Sequence, residues 1–252
     1  MGTEQTVRGA LAYHFWSGGG TEIGWPPGLH LLLAKRCGAK GTTLPILLDG
    51  ETVIQGSSAI IDWAETKAQD GRPSLAPQAD LAGAREIERR ADEVIGINAR
   101  RLAFAEMLPS YPHLVKPALF LRASGWHRLI GHLMWPVAWR VMMQQLEVRP
   151  GAAAESRAKL EAELDWLDAK LADGRPYLAG DRFSRADLTV ASLLAGYAKP
   201  REMPAYHDLT GPDALAADVE RWSARPVMRW VIRQYGAHRL IPEVKFSSHC
   251  WP

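Results

Sequence analysis

Apolar residues follow short strand-like runs in the first quarter of this chain and helical spacing in nearly all the rest. Residues 10–16 (ALAYHFW) form an apolar and aromatic run that stops at Gly18-Gly19-Gly20, the pattern of a strand entering a loop. Residues 44–48 and 51–54 flank Asp49-Gly50, a dipeptide that predicts a two-residue hairpin turn with positive φ at its central positions. Gly56-Ser57-Ser58 then precedes AIIDWA at 59–64, so a serine is placed to cap the first free N–H groups of a helix. Gly71, Pro73 and Pro77 make residues 70–77 a linker.

Beyond the linker the period is helical. Ile87, Ala91, Val94, Ile95, Asn98 and Leu102 recur on one face, and Leu160, Leu164, Leu167 and Leu171 do so with charges between them. The second of these helices is expected to end at Asp173-Gly174, where glycine supplies a left-handed cap. Ser184 and Asp187 have capping-box spacing, with Asp in place of the usual Glu, ahead of Leu188, Ala191 and Leu194. Pro226 suits the first position of a last helix over 227–235. The most apolar stretch, 129–143, is short for a membrane span and holds His132, Pro136 and Arg140, so it reads as a buried helix hairpin. Residues 245–252 show no period. The expected architecture is a small α/β domain over 1–77 followed by an all-helical domain over 78–252.

Composition narrows the function. Apolar residues make up 47% and charged residues 23% of 252 positions, the profile of a globular protein. A net charge of +2 is far from the basic excess that nucleic-acid binding requires. The two cysteines, Cys37 and Cys250, lie far apart without metal spacing, which fits a reducing cytoplasm. The polar opening, residues 1–8, carries no secretory signal pattern. His127 and His132 are five apart and so do not align on one helical face, and no metal site is expected.

Two segments carry a resemblance. Residues 43–62, TLPILLDGETVIQGSSAIID, resemble the third and fourth strands and third helix of the glutathione transferase superfamily. Residues 177–188, YLAGDRFSRADL, are similar to the capping-box signature of its helical domain. Pro26-Pro27-Gly28-Leu29-His30 and Gln55-Gly56-Ser57 are similar to a bacterial branch of that family. The resemblance implies a thioredoxin-like N-terminal domain, an all-helical C-terminal domain, a cytoplasmic homodimer, glutathione as co-substrate and an apolar electrophile as its acceptor.

It also implies roles. In the family the peptide before the third strand is cis, which makes Leu44 the residue whose backbone pairs with glutathione's cysteinyl residue and Pro45 the one that presents it. Ser57 would hold the γ-glutamyl carboxylate, with the Ser58 amide helping. A helix N-terminus offers free N–H groups and partial positive charge to such an anion. The family often has Glu or Gln directly before this serine, where it helps to hold the ligand; Gly56 stands there, and Gln55, one residue earlier, is the candidate to reach the same ligand.

The thiol-activating hydroxyl would come from the first strand, where Ser17 sits at its end and Tyr13 within it. Such a hydroxyl donates to the glutathione thiolate and raises the fraction of sulfur in its nucleophilic form. The residues between Ser17 and Trp25 are too few for a parallel crossover, which needs roughly 10–12 residues or more. Three readings stay open: a first βαβ unit cut down, an unrelated opening segment, or a crossover helix at residues 29–36. Cys37 has no CxxC partner and precedes Gly38 at an apparent helix end, where the dipole disfavours a thiolate. Trp126, Trp135 and Trp139 with Met134, Met142 and Met143 line either a tolerant co-substrate pocket or ordinary core and dimer interface, with Arg140 among them. The rival to an enzyme is a non-catalytic descendant that keeps the fold as a binding or dimerisation scaffold.

Overall fold

The computed structural model describes residues 34–41, 44–66, 74–77, 79–113, 115, 125–203 and 211–239. Tyr13, Ser17, the Gly18–Gly20 run and the tail at 245–252 lie outside these residues, as do 29–33 of the possible crossover helix. The chain divides into two compact units. Of the described residues, those up to Leu75 and those at 125–138 belong to the first, and 76–115 with 139–239 to the second.

In the first unit, β1 (Ile46–Asp49) pairs antiparallel with β2 (Thr52–Gln55), with Ile46 opposite Gln55 and Asp49 opposite Thr52. The register corrects the expected turn. Asp49 ends the strand and Gly50-Glu51 make the two-residue loop, with Gly50 at φ +59. A loop with glycine at its first central position needs positive φ only there. The strand begins at Ile46 rather than Leu44, because Pro45 has no N–H to give to a ladder; the Leu44-Pro45 peptide is cis. Helix α1 (Ser57–Thr66) starts two residues before the expected Ala59, and Ile60 N–H donates to Gly56 O, so Gly56 takes the cap position. α1 packs on β2 and buries Ile60, Ile61 and Ala64. Its Glu65 carboxylate accepts from Ser74 Oγ at 2.6 Å and Leu75 N at 2.7 Å, which fastens the chain after the helix.

The second unit is helical. α2 (Leu81–Arg90) runs through a π-helical segment (Ala91–Gly96) into α3 (Ile97–Ser110). The apolar period alone predicted one uninterrupted helix here. At Gly96 an added Cβ would sit 3.1 Å from Leu193 Cδ2, so the chain approaches its neighbour at a residue without a side chain. That neighbour is α6 (Arg185–Ala198), preceded by α5 (Ala152–Leu171) and followed by α7 (Asp213–Ser223) and α8 (Pro226–His238). α5 packs along α3, and α8 along α6.

Leu160, Leu164, Leu167 and Leu171 fill this core as their spacing required, with Leu102, Leu194, Trp222 and Trp230. Gly174 takes φ +79 after α5, and Pro226 opens α8. The buried indole of Trp230 donates Nε1–H to Pro176 O at 2.8 Å, so its polar edge is satisfied. Arg157 of α5 ties Asp218 of α7 at 2.8 Å and Glu106 of α3 at 2.7 Å. At α6 the capping box forms: Asp187 accepts from Ser184 N at 2.8 Å, from Ser184 Oγ at 2.7 Å and from Leu178 N at 2.7 Å.

Residues 129–143 do not make a hairpin. They lie in one helix, α4 (Gly125–Gln145), which passes through Pro136, and they are not buried throughout. Leu129, Leu133, Met134, Val137 and Val141 are exposed. A continuous apolar run reads as core by composition, because periodicity cannot tell a covered face from an open one.

Candidate functional site

The residues singled out for ligand binding converge at the open end of the β1–β2 hairpin. Pro45 O accepts from Gly56 N at 2.9 Å, which continues the ladder by one bond past the Ile46–Gln55 pair. That bond sets the Leu44-Pro45 peptide beside the first turn of α1. Pro45 and Ser57 are buried, whereas Leu44, Gln55 and Ser58 are half-buried. Ser57 is the first helical residue, and the amides of a first turn have no partner within the helix. No acidic side chain stands in that turn, so the partial positive charge of the helix end is not neutralised locally.

Gly56 adopts φ +94, a left-handed conformation that an L side chain rarely takes. The backbone itself therefore accounts for glycine at this position. Gln55 is used within the protein, since its Oε1 accepts from Gly41 N at 3.0 Å and holds the segment before Leu44. Neither the positive φ of Gly56 nor this contact was signalled by the sequence pattern, because both depend on partners brought in by folding.

Cys37 is half-buried and free. In α4, Trp139 donates Nε1–H to Leu108 O at 3.1 Å within the second unit, and Arg140 is exposed. Among the described residues no group of His, Cys, Asp or Glu is arranged to hold a metal ion, and no helix is long and apolar enough to cross a membrane.

Residues 150–230 match the family described as glutathione S-transferase, C-terminal domain. Among solved structures, the chain is similar to the glutathione transferase GSTFuA3 from Phanerochaete chrysosporium, with a TM-score of 0.62 and 17% identity over 95% of this chain and 91% of that one. It is also similar to the beta-etherase LigF from Sphingobium sp. strain SYK-6, with a TM-score of 0.55 and 18% identity over 92% of this chain and 96% of that one. No curated protein matches the chain in sequence.

Proposed function

From the premise that this chain has the glutathione transferase fold and carries that family's C-terminal domain over residues 150–230, we propose that it binds glutathione and transfers it to an apolar electrophile. The observation that supports this reading most is the Gly56 N to Pro45 O bond, which brings Leu44 and Ser57 to one place. The Leu44 backbone pairs with the cysteinyl residue of glutathione, and Pro45 presents it. The Ser57 hydroxyl and the Ser58 amide receive the γ-glutamyl carboxylate at the positive end of α1. Gln55, held by Gly41, sits beside them and orients the loop that carries Leu44.

The thiolate attacks the electrophilic carbon, a C–S bond forms, and a leaving group such as halide departs with the bonding pair. Ser17, with Tyr13 as the alternative, donates the hydrogen bond that keeps the sulfur ionised. The protein works as a cytoplasmic homodimer. Retention of the full chain on immobilised glutathione, with turnover of an aryl halide, tests this; failure of both sinks it.

Gly56 favours a second reading, a non-catalytic scaffold, because it removes the side chain that in the family helps to hold the ligand. On that reading a protein partner remains bound to a Ser57→Ala, Pro45→Ala double variant.

A further inference from the structure

The side chain of Gln55 is turned back into the protein. Its backbone stands opposite Ile46 in the ladder, while its side chain reaches Gly41, fourteen residues earlier in the chain. The Gly41 N–H donates to Oε1 at 3.0 Å. A backbone N–H can only donate, so the oxygen of the amide, not its NH2 group, faces Gly41. A Cβ added at Gly41 would lie 3.4 Å from Nε2, 3.5 Å from Oε1 and 3.7 Å from Cδ. The amide group thus lies over a residue that has no side chain.

With the Gly56 N to Pro45 O bond at 2.9 Å, this gives Leu44 a fixed point on either side. Gly41 is held before it and Pro45 after it, by the consecutive residues Gln55 and Gly56. The next residue in the chain is Ser57, the first of α1. The same short stretch therefore sets where Leu44 lies relative to the helix end. A backbone that receives an extended ligand gives up its own freedom on binding, and fixing it beforehand lowers that cost.

We propose that Gln55 is a positioning residue for glutathione, acting through the hydrogen bond that its Oε1 accepts from Gly41 and not through contact with the ligand. The proposal rests on the reading that glutathione pairs with the Leu44 backbone. Its chemistry has two consequences. Only an acceptor is needed at this position. The effect falls on glutathione binding in ground and transition state alike, so it moves KM for glutathione and leaves kcat in place.

The test compares the full chain as wild type, Gln55→Met and Gln55→Glu. Methionine keeps the length of the side chain with only a weak acceptor, whereas glutamate keeps the acceptor and lacks the NH2 donor. Calorimetric titration is expected to show glutathione bound roughly fivefold to tenfold more weakly by Gln55→Met. Gln55→Glu is expected to bind within about twofold of the wild type, since the bond to Gly41 survives. With an aryl halide as acceptor, KM for glutathione rises in Gln55→Met by the same factor at unchanged kcat. A Gln55→Glu protein that binds as weakly as Gln55→Met overturns the proposal, because Gln55 would then serve the ligand as a donor. So does a Gln55→Met protein, folded by circular dichroism, that binds as the wild type does. Hydrogen exchange of the wild type needs no variant: the Gly41 amide is expected to be protected, and exchange at the rate of an open loop overturns the proposal. A wild type that binds no glutathione refutes the glutathione reading, and the proposal falls with it; the Gly41 exchange still reports on the bond itself, so the two failures are told apart.

Discussion

Arg185 at the start of α6 donates from Nε to the carboxylate of Glu88 in α2, and the two side chains are only 1% and 4% exposed. The pair joins helices far apart in sequence. Breaking a buried ion pair by removing one partner costs on the order of 3–5 kcal/mol. Glu88→Ala and Arg185→Ala are each expected to lose about that much in urea denaturation. A Glu88→Met, Arg185→Met double variant is expected to lose less than either single one. A single variant as stable as the wild type would show that the pair does not hold these helices together.

Asp187 predicts a pH dependence of stability. Burial pushes its carboxyl up from the ordinary 3.8 to about 6, against the hydrogen bonds from Leu178 and Ser184, which favour the ionised form. The folded state therefore binds a proton more tightly than the unfolded state does. The contribution of this group is fully present below pH 3.8 and is lost as pH rises through about 6. The wild type is expected to lose roughly 3 kcal/mol relative to Asp187→Asn between those limits. Unfolding free energies of both proteins across this window check it; a constant difference would contradict it.

Gly56→Ala places a side chain at φ +94, although nothing lies within 4 Å of the added carbon. The cost is then conformational rather than a clash, and it is expected at about 1–3 kcal/mol in thermal or urea unfolding. An unchanged midpoint would mean that this backbone relaxes freely.

Leu164 of α5 is fully buried, and Leu164→Ala is expected to cost about 2–5 kcal/mol, the range for a core leucine whose cavity collapses only in part. Exposed Glu155 on the same helix gives the control, since Glu155→Ala removes only a surface pair with Arg149.

Elements set by local chemistry were legible in the sequence. The Ser184–Asp187 box, Gly174 after α5 and Pro226 at the head of α8 act within a few residues of themselves, and each appears where its chemistry put it. The hairpin was legible as a hairpin but not in register, because Asp49-Gly50 and Gly50-Glu51 are both acceptable loops until the strands pair. The π segment at Ala91–Gly96 left no trace in the apolar period, as its setting involves Leu193, remote in sequence. At the candidate site Leu44, Pro45 and Ser57 could be named through the family resemblance, while the bond that joins them and the positive φ of Gly56 belong to the folded chain.

The central claim is that the first turn of α1 receives glutathione, and calorimetric titration of glutathione into the wild type and Ser57→Ala tests it most directly. A hydrogen bond to a charged group contributes about 1.5–3 kcal/mol, so the account predicts binding by the wild type and affinity roughly tenfold to a hundredfold weaker in the variant. No binding by the wild type, or equal affinity in the two proteins, would contradict it.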